Sequence, residues 1–190
     1  MDPGSYDANG DAGIDVTLVP FSVVGGAGAT GLDAADGDTQ IGFAAAVAAR
    51  AGRVYVVDSL SRGLVQVDVF GGDARTILKL RDAGTSGLYV TEDLIIYVVD
   101  RQSRAVIEVG DTGWERQRYA DSRTIPAPVD VTEINRGSAI VIADELSKRL
   151  VLFDGLSNPA GMMNSTLSPV ISVASIGAIA ANNGSVFVLD

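Results

Sequence analysis

The 190-residue chain contains no cysteine and no histidine. The first absence removes disulfides, thiolate nucleophiles and cysteine zinc sites together. The second removes histidine triads, imidazole acid–base catalysis and His-ligated metals. Carboxylates, Lys, Tyr, Ser and Thr remain available for chemistry. No run reaches the roughly 18 apolar residues that cross a bilayer. The opening MDPGSYDANGDAG lacks the basic region of a signal peptide. Basic residues are also scarce, 14 against 24 acidic ones, for a formal charge of −10. Such a charge repels phosphate backbones and argues against nucleic acid as a general partner.

What is present is an ordinary globular mixture, 47% apolar and 20% charged, in a length that suits one domain with a sizeable core. One stretch organises the rest. Gly52–Asp68 (GRVYVVDSLSRGLVQVD) is an apolar run closing on aspartate, a polar turn, and a second apolar run. The pattern returns as IIYVVDRQSRAVIEV (95–109) and AIVIADELSKRLVLFD (139–154), and its first half as SVFVLD (185–190). The closing aspartates Asp58, Asp100, Asp144 and Asp190 are 42, 44 and 46 residues apart. A repeat of about 40–50 residues made of short strands is the period of a β-propeller blade. The expected fold is therefore all-β, a propeller of four-stranded blades, with at least twelve strands and no long helix.

Residues 1–15 are Gly/Asp-rich and read as a flexible segment, with blades over 16–190. The spacing Asp7, Asn9, Asp11 hints at a calcium loop, but Ala12 and Leu18 stand where its turn glycine and bidentate glutamate belong. A solvated tail is the better reading. VTLVPFSVV (16–24) reads as an extended segment that Pro20 confines to an edge. Next comes Gly26-x-Gly28-x-x-Gly31, the spacing of a dinucleotide-binding turn, with Asp58 as a ribose ligand. A Rossmann-type oxidoreductase is thus one alternative. Against it, Asp36-Gly37-Asp38 breaks the required helix, and Asp33, Asp36 and Asp38 put negative charge beside the pyrophosphate. Asp58 also recurs where no glycine loop precedes it, so the loop reading is preferred.

The repeats fall near 41–80, 83–120, 127–173 and 175–190. Inner strands are expected at 41–49, 87–91, 128–132 and 177–181, small residues suiting the crowded axis. Third strands are expected at 64–70, 106–109 and 150–153, and fourth strands at 76–80, 116–120 and 169–173. Trp114, the single tryptophan, is assigned to blade packing.

Aligned in this way, VYVVDSLSRGLVQVD, IYVVDRQSRAVIEV and IVIADELSKRLVLFD resemble NHL repeats, a β-propeller family, over about residues 16–190. The glycine-rich segment VVGGAGATGLDAADGD is similar to that family's inter-blade loop. The Asn usual in the polar turn is here Ser61, Ser103 and Ser147, and the Arg that usually opens the third strand survives only as Arg149, being Gly63 and Ala105 elsewhere. The resemblance implies six blades, so about three and a half repeats make an open arc, read as a fragment, with blade edges through which the chain would self-associate.

Two functional readings follow. An aspartate at a strand end accepts backbone N–H bonds from residues two or three ahead, so Asp58, Asp100 and Asp144 are expected to anchor turns. The same rim would hold Arg62, Arg101, Arg104, Glu145, Lys148 and Arg149 with the loop 25–40. That basic cluster on an acidic chain suits a non-enzymatic scaffold for a protein partner or small anionic ligand. The enzymatic alternative comes from the resemblance. Similar propellers include lactonase and lyase types with a central metal, and without histidine an all-carboxylate calcium site is the version left. No other cofactor is expected. Asn164 and Asn183 open glycosylation sequons.

Overall fold

A computed structural model describes residues 41–68, 74–81, 87–120, 123, 125–134, 139–154, 159–163, 175–182 and 185–189. Among the described residues fourteen strands form three four-stranded sheets and a two-stranded fourth. The first sheet runs β1 (Ala44–Arg50), β2 (Arg53–Asp58), β3 (Gly63–Asp68) and β4 (Ala74–Lys79). The second runs β5 (Leu88–Val90), β6 (Ile96–Asp100), β7 (Ala105–Val109) and β8 (Glu115–Ala120). The third runs β9 (Pro128–Ile134), β10 (Ala139–Asp144), β11 (Arg149–Asp154) and β12 (Pro159–Met163). β13 (Ala178–Asn182) and β14 (Ser185–Leu189) pair alone. All pairings are antiparallel between consecutive strands, and no helix occurs among the described residues.

The apolar runs do not alternate with polar residues because their strands are buried on both faces. In β6, Ile96 and Val98 pack toward the first sheet with Tyr55, Val57 and Leu64. Tyr97 and Val99 of the same strand pack toward the third with Ile140, Ile142 and Phe153. An aromatic file crosses this second interface: Tyr97 and Tyr119 have ring centroids 6.2 Å apart, and Tyr119 meets Phe153 edge-on at 5.7 Å. Val141, Ala143, Ile176 and Ile179 fill the junction of the third and fourth sheets.

Ala-rich β1 is a strand despite the helical preference of alanine. Its backbone pairs with β2 from Ala44↔Asp58 to Arg50↔Arg53 through a two-residue turn, Ala51-Gly52, with φ of 49° and 74°. Two left-handed residues in a two-residue hairpin match the right-handed twist of the flanking strands. Tertiary pairing overrides local propensity here.

Successive inner strands touch in chain order, β1 with β5, β5 with β9 and β9 with β13. At the second contact a Cβ on Gly87 would lie 2.7 Å from the Asp130 Cα and 2.9 Å from the Val129 carbonyl oxygen. Only glycine lets the two backbones approach so closely. Inner strands that touch in succession, the first three each carrying three strands outward, are the geometry of propeller blades.

Two expectations require correction. The fourth strand of the third sheet is Pro159–Met163, pairing with β11 from Leu150↔Met163 to Phe153↔Pro159. Residues 169–173, where it was expected, lie outside the described residues. Trp114 does not pack between blades but is 69% exposed, because Gly113 and not Trp114 is the residue pressed against the neighbouring blade. The expectations for Asp7, Asn9, Asp11, 16–24, Gly26, Gly28, Gly31, Asn164 and Asn183 also fall outside the described residues. The strand at 44–50 and the all-β sheets remove the dinucleotide fold as the architecture of the described part.

Candidate functional site

The turns joining second to third strands, 59–62, 101–104 and 145–148, share one build. Each follows a buried aspartate: Asp58, Asp100 and Asp144 are at most 1% exposed. Each carboxylate accepts from the backbone N–H three residues on, at Ser61 (3.1 Å), Ser103 (3.2 Å) and Ser147 (2.7 Å). Asp58 accepts in addition from Leu60 N–H (3.3 Å) and from Phe43 N–H (2.7 Å), and Asp144 from Ala127 N–H. Phe43 and Ala127 lie just before the inner strands β1 and β9. These longer-range bonds therefore tie the turn to the segment entering the blade, across 15 and 17 residues. Nothing in the local sequence announces those two donors.

Burial alone would push the Asp58 carboxyl up. The hydrogen bonds from Ser61, Phe43 and Gly42 outweigh it and leave the pKa below the ordinary aspartate value.

The fourth position of each turn is basic, and its backbone is left-handed: φ is 53° at Arg62, 52° at Arg104 and 53° at Lys148. Such a conformation crowds Cβ against the carbonyl and is ordinarily given to Gly or Asn. All three side chains are exposed, and among the described residues none forms an ion pair or side-chain hydrogen bond. The other basic residues of the rim behave differently. Arg101 is bound to Glu145 of the next blade at 2.9 Å, which also shows that the turns of the second and third sheets adjoin. Arg149 opens β11 opposite Asp144 in the strand register. Apolar side chains flank two of the free cations, with Leu60 76% and Leu146 71% exposed at the second turn position. The recurring spacing Asp-x-x-Ser-(Arg/Lys) is visible in the sequence once the turns are superposed, but its left-handed backbone is not.

At the opposite end of the inner strands, Arg50 pairs with Glu92 at 3.3 Å. Glu133 stands nearby, its carboxyl raised by burial and by the charges of Asp93 and Glu92. Among the described residues no group of three or more acidic side chains is arranged to hold a metal ion. A calcium site of the kind considered above thus has no ligand set there.

Fold and rim together define the class: the chain is a β-propeller-type protein, the sheets of its described residues not closed into a ring. Solved structures of similar fold carry the comparison further. Streptogramin B lyase matches with a TM-score of 0.62 at 14% identity, over 80% of this chain and 49% of that one. Virginiamycin B lyase from Staphylococcus aureus gives 0.60 at 14%, over 75% and 47%. Hydrazine synthase from Kuenenia stuttgartiensis gives 0.59 at 13%, over 74% and 39%. Identities this low establish shared fold alone, and the chain spans less than half the length of these neighbours. No protein-family model and no curated protein matches the sequence.

Proposed function

We propose that the chain is a non-enzymatic propeller module, NHL-like in its repeat, that docks an anionic partner on the rim formed by its second-to-third-strand turns. One observation carries this reading: Arg62, Arg104 and Lys148 occupy the same left-handed position in three successive blades and find no charge partner among the described residues. Holding an L-residue there costs about 1–2 kcal/mol, and glycine, of which the chain has 22, would avoid that cost. A strained position filled three times by a cation is explained by what the cation meets. The Arg101–Glu145 pair at 2.9 Å supports the reading that a cation of this rim can take a carboxylate. On a chain of net charge −10 the attraction is local, so it must weaken steeply with salt.

The test replaces Arg62, Arg104 and Lys148 together by glycine. Stability is expected to hold or rise, while retention on immobilised poly-glutamate at low ionic strength is lost. Retention unchanged in the triple variant would sink the proposal.

The enzymatic alternative has one observation in its favour, the lyases among proteins of similar fold. A further solved structure of the Staphylococcus aureus enzyme is described as the catalytically inactive H270A variant with quinupristin. These 190 residues contain no histidine to supply that group, so this reading needs carboxylate-bound calcium. Calorimetric titration with calcium separates the two, since the docking module requires no calcium.

A further inference from the structure

In two of the three complete blades the cation that ends the rim turn is accompanied by a bare leucine. Leu60 stands two residues before Arg62, and Leu146 two residues before Lys148. At 76% and 71% they are the most exposed large apolar side chains among the described residues. The middle blade carries exposed Gln102 at that position, the kind of residue a water-facing turn ordinarily takes. A single exposed leucine calls for no explanation. Two of them, at one position of a repeated turn that also presents a cation without a charge partner among the described residues, do call for one.

The first turn shows how such a leucine is held. Leu60 lies over Gly42, where an added Cβ would collide with its Cδ2 and come within 2.9 Å of its Cβ. The segment carrying Gly42 is fixed to the turn through the next residue. Phe43 N–H donates to Asp58 at 2.7 Å, and the Phe43 carbonyl accepts from the Ser59 N–H at 2.9 Å and the Ser59 hydroxyl at 3.1 Å. The Phe43 side chain is also exposed. The frame recurs in the third blade, where Ala127 N–H donates to Asp144 and the Ala127 carbonyl accepts from Glu145 N–H at 3.0 Å. Both leucines therefore sit on turns pinned to the strand entering their blade. In chain order the rim runs apolar and cationic, polar and cationic, then apolar and cationic again.

That alternation selects among anions. A small anion would meet the cations and leave the leucines bare. A nucleic acid or an anionic lipid surface would be repelled by a chain of net charge −10. A short acidic peptide uses both kinds of group, its carboxylates at the cations and its apolar side chains over the leucines. We infer that the rim docks an acidic, leucine-like peptide segment of a partner protein. Its carboxylates meet Arg62, Arg104 and Lys148, while its apolar side chains cover Leu60 and Phe43 in one blade and Leu146 in another. This rests on the docking reading above and adds the partner's chemistry: the ionic part weakens with salt, and the apolar part persists.

The probes are two fluorescein-labelled, glutamate-rich peptides of about twelve residues, which reach about 40 Å when extended. One carries two leucines and the other serines in their place. In anisotropy titrations at low salt, residues 1–190 should bind the leucine peptide at least about tenfold tighter than the serine peptide. In the double variant Leu60→Ser, Leu146→Ser that preference should vanish, while the serine peptide binds as before and the melting temperature holds. Equal affinity of wild type for the two peptides leaves the docking reading standing and overturns this inference, whereas no binding of either peptide overturns both. A preference that survives the double variant places the apolar contact elsewhere and overturns it. A fall in melting temperature does the same, by showing the leucines to be structural. So does saturable binding to phosphatidylserine vesicles that the double variant loses, which would make the rim a membrane-facing surface.

Discussion

Replacing Asp58 by alanine tests what the repeated aspartate contributes. Its carboxylate is buried and accepts three backbone N–H bonds, from Phe43 at 2.7 Å, Ser61 at 3.1 Å and Leu60 at 3.3 Å. Hydrogen bonds to a charged acceptor contribute roughly 1.5–3 kcal/mol each. The three do not add in full, because the N–H groups of an exposed turn regain water when the carboxylate is gone. The expected loss is about 2–4 kcal/mol at neutral pH, or roughly 5–15 °C in melting temperature for a chain of this size. The pKa of Asp58 is depressed in the folded chain. Its contribution is thus present above the unfolded value near 3.8 and is lost as pH falls through the lower folded value. Urea melts of wild type and Asp58→Ala at pH 7 and pH 3 should show the gap narrowing at the lower pH. A gap under about 0.5 kcal/mol at neutral pH, or one that does not narrow, would refute the assignment of the carboxylate as acceptor for all three groups.

Gly113→Ala should destabilise by more than about 2 kcal/mol, since its φ of +89° and the Ile77 backbone both oppose a Cβ; a melt unchanged from wild type would show the turn free to move. Asp130 accepts from Ile179 N–H at 2.7 Å across two blades, but burial raises its pKa despite that bond and one from Val131. With the folded value raised, its contribution is fully present below the unfolded value near 3.8 and declines as pH rises through the folded one. Wild type should therefore lose stability relative to Asp130→Asn between pH 4 and 7, and parallel stability curves would contradict this. On β14, Phe187 and Leu189 are 62% and 66% exposed at repeat positions where Tyr55 and Val57 are wholly buried. Residues 1–190 should self-associate in sedimentation, and Phe187→Lys with Leu189→Lys should reduce it; a wild-type monomer at high concentration would count against these edges as contacts.

The second and third strands were legible because their apolar runs must be buried on both faces, and a residue such as Val98 admits no solvent-facing alternative. Asp58, Asp100 and Asp144 were legible as strand ends, since a carboxylate after such a run marks where the chain turns. Fourth strands were harder. β8 alternates, with Arg116 and Arg118 exposed and Tyr119 buried, and it was found close to its place. PAGMM carries no strand signal of its own, and β12 exists because β11 offers an edge to pair. The short repeat in sequence fixed neither the partner of that edge nor the reach of Asp58 to Phe43.

Sequence alone determined the period, the all-β class and the spacing of aspartate, serine and cation in each turn, because these depend on residues that are neighbours along the chain. The tertiary structure decided the rest. The left-handed backbone at Arg62, Arg104 and Lys148 arises from closing a hairpin whose register is set by both strands. The pairing of Arg101 with Glu145 needs two blades side by side. Trp114 is bare because the glycine before it, and not the indole, is driven against Ile77 of the neighbouring blade. The last two depend on where one blade meets the next, a distance that no local pattern of residues encodes.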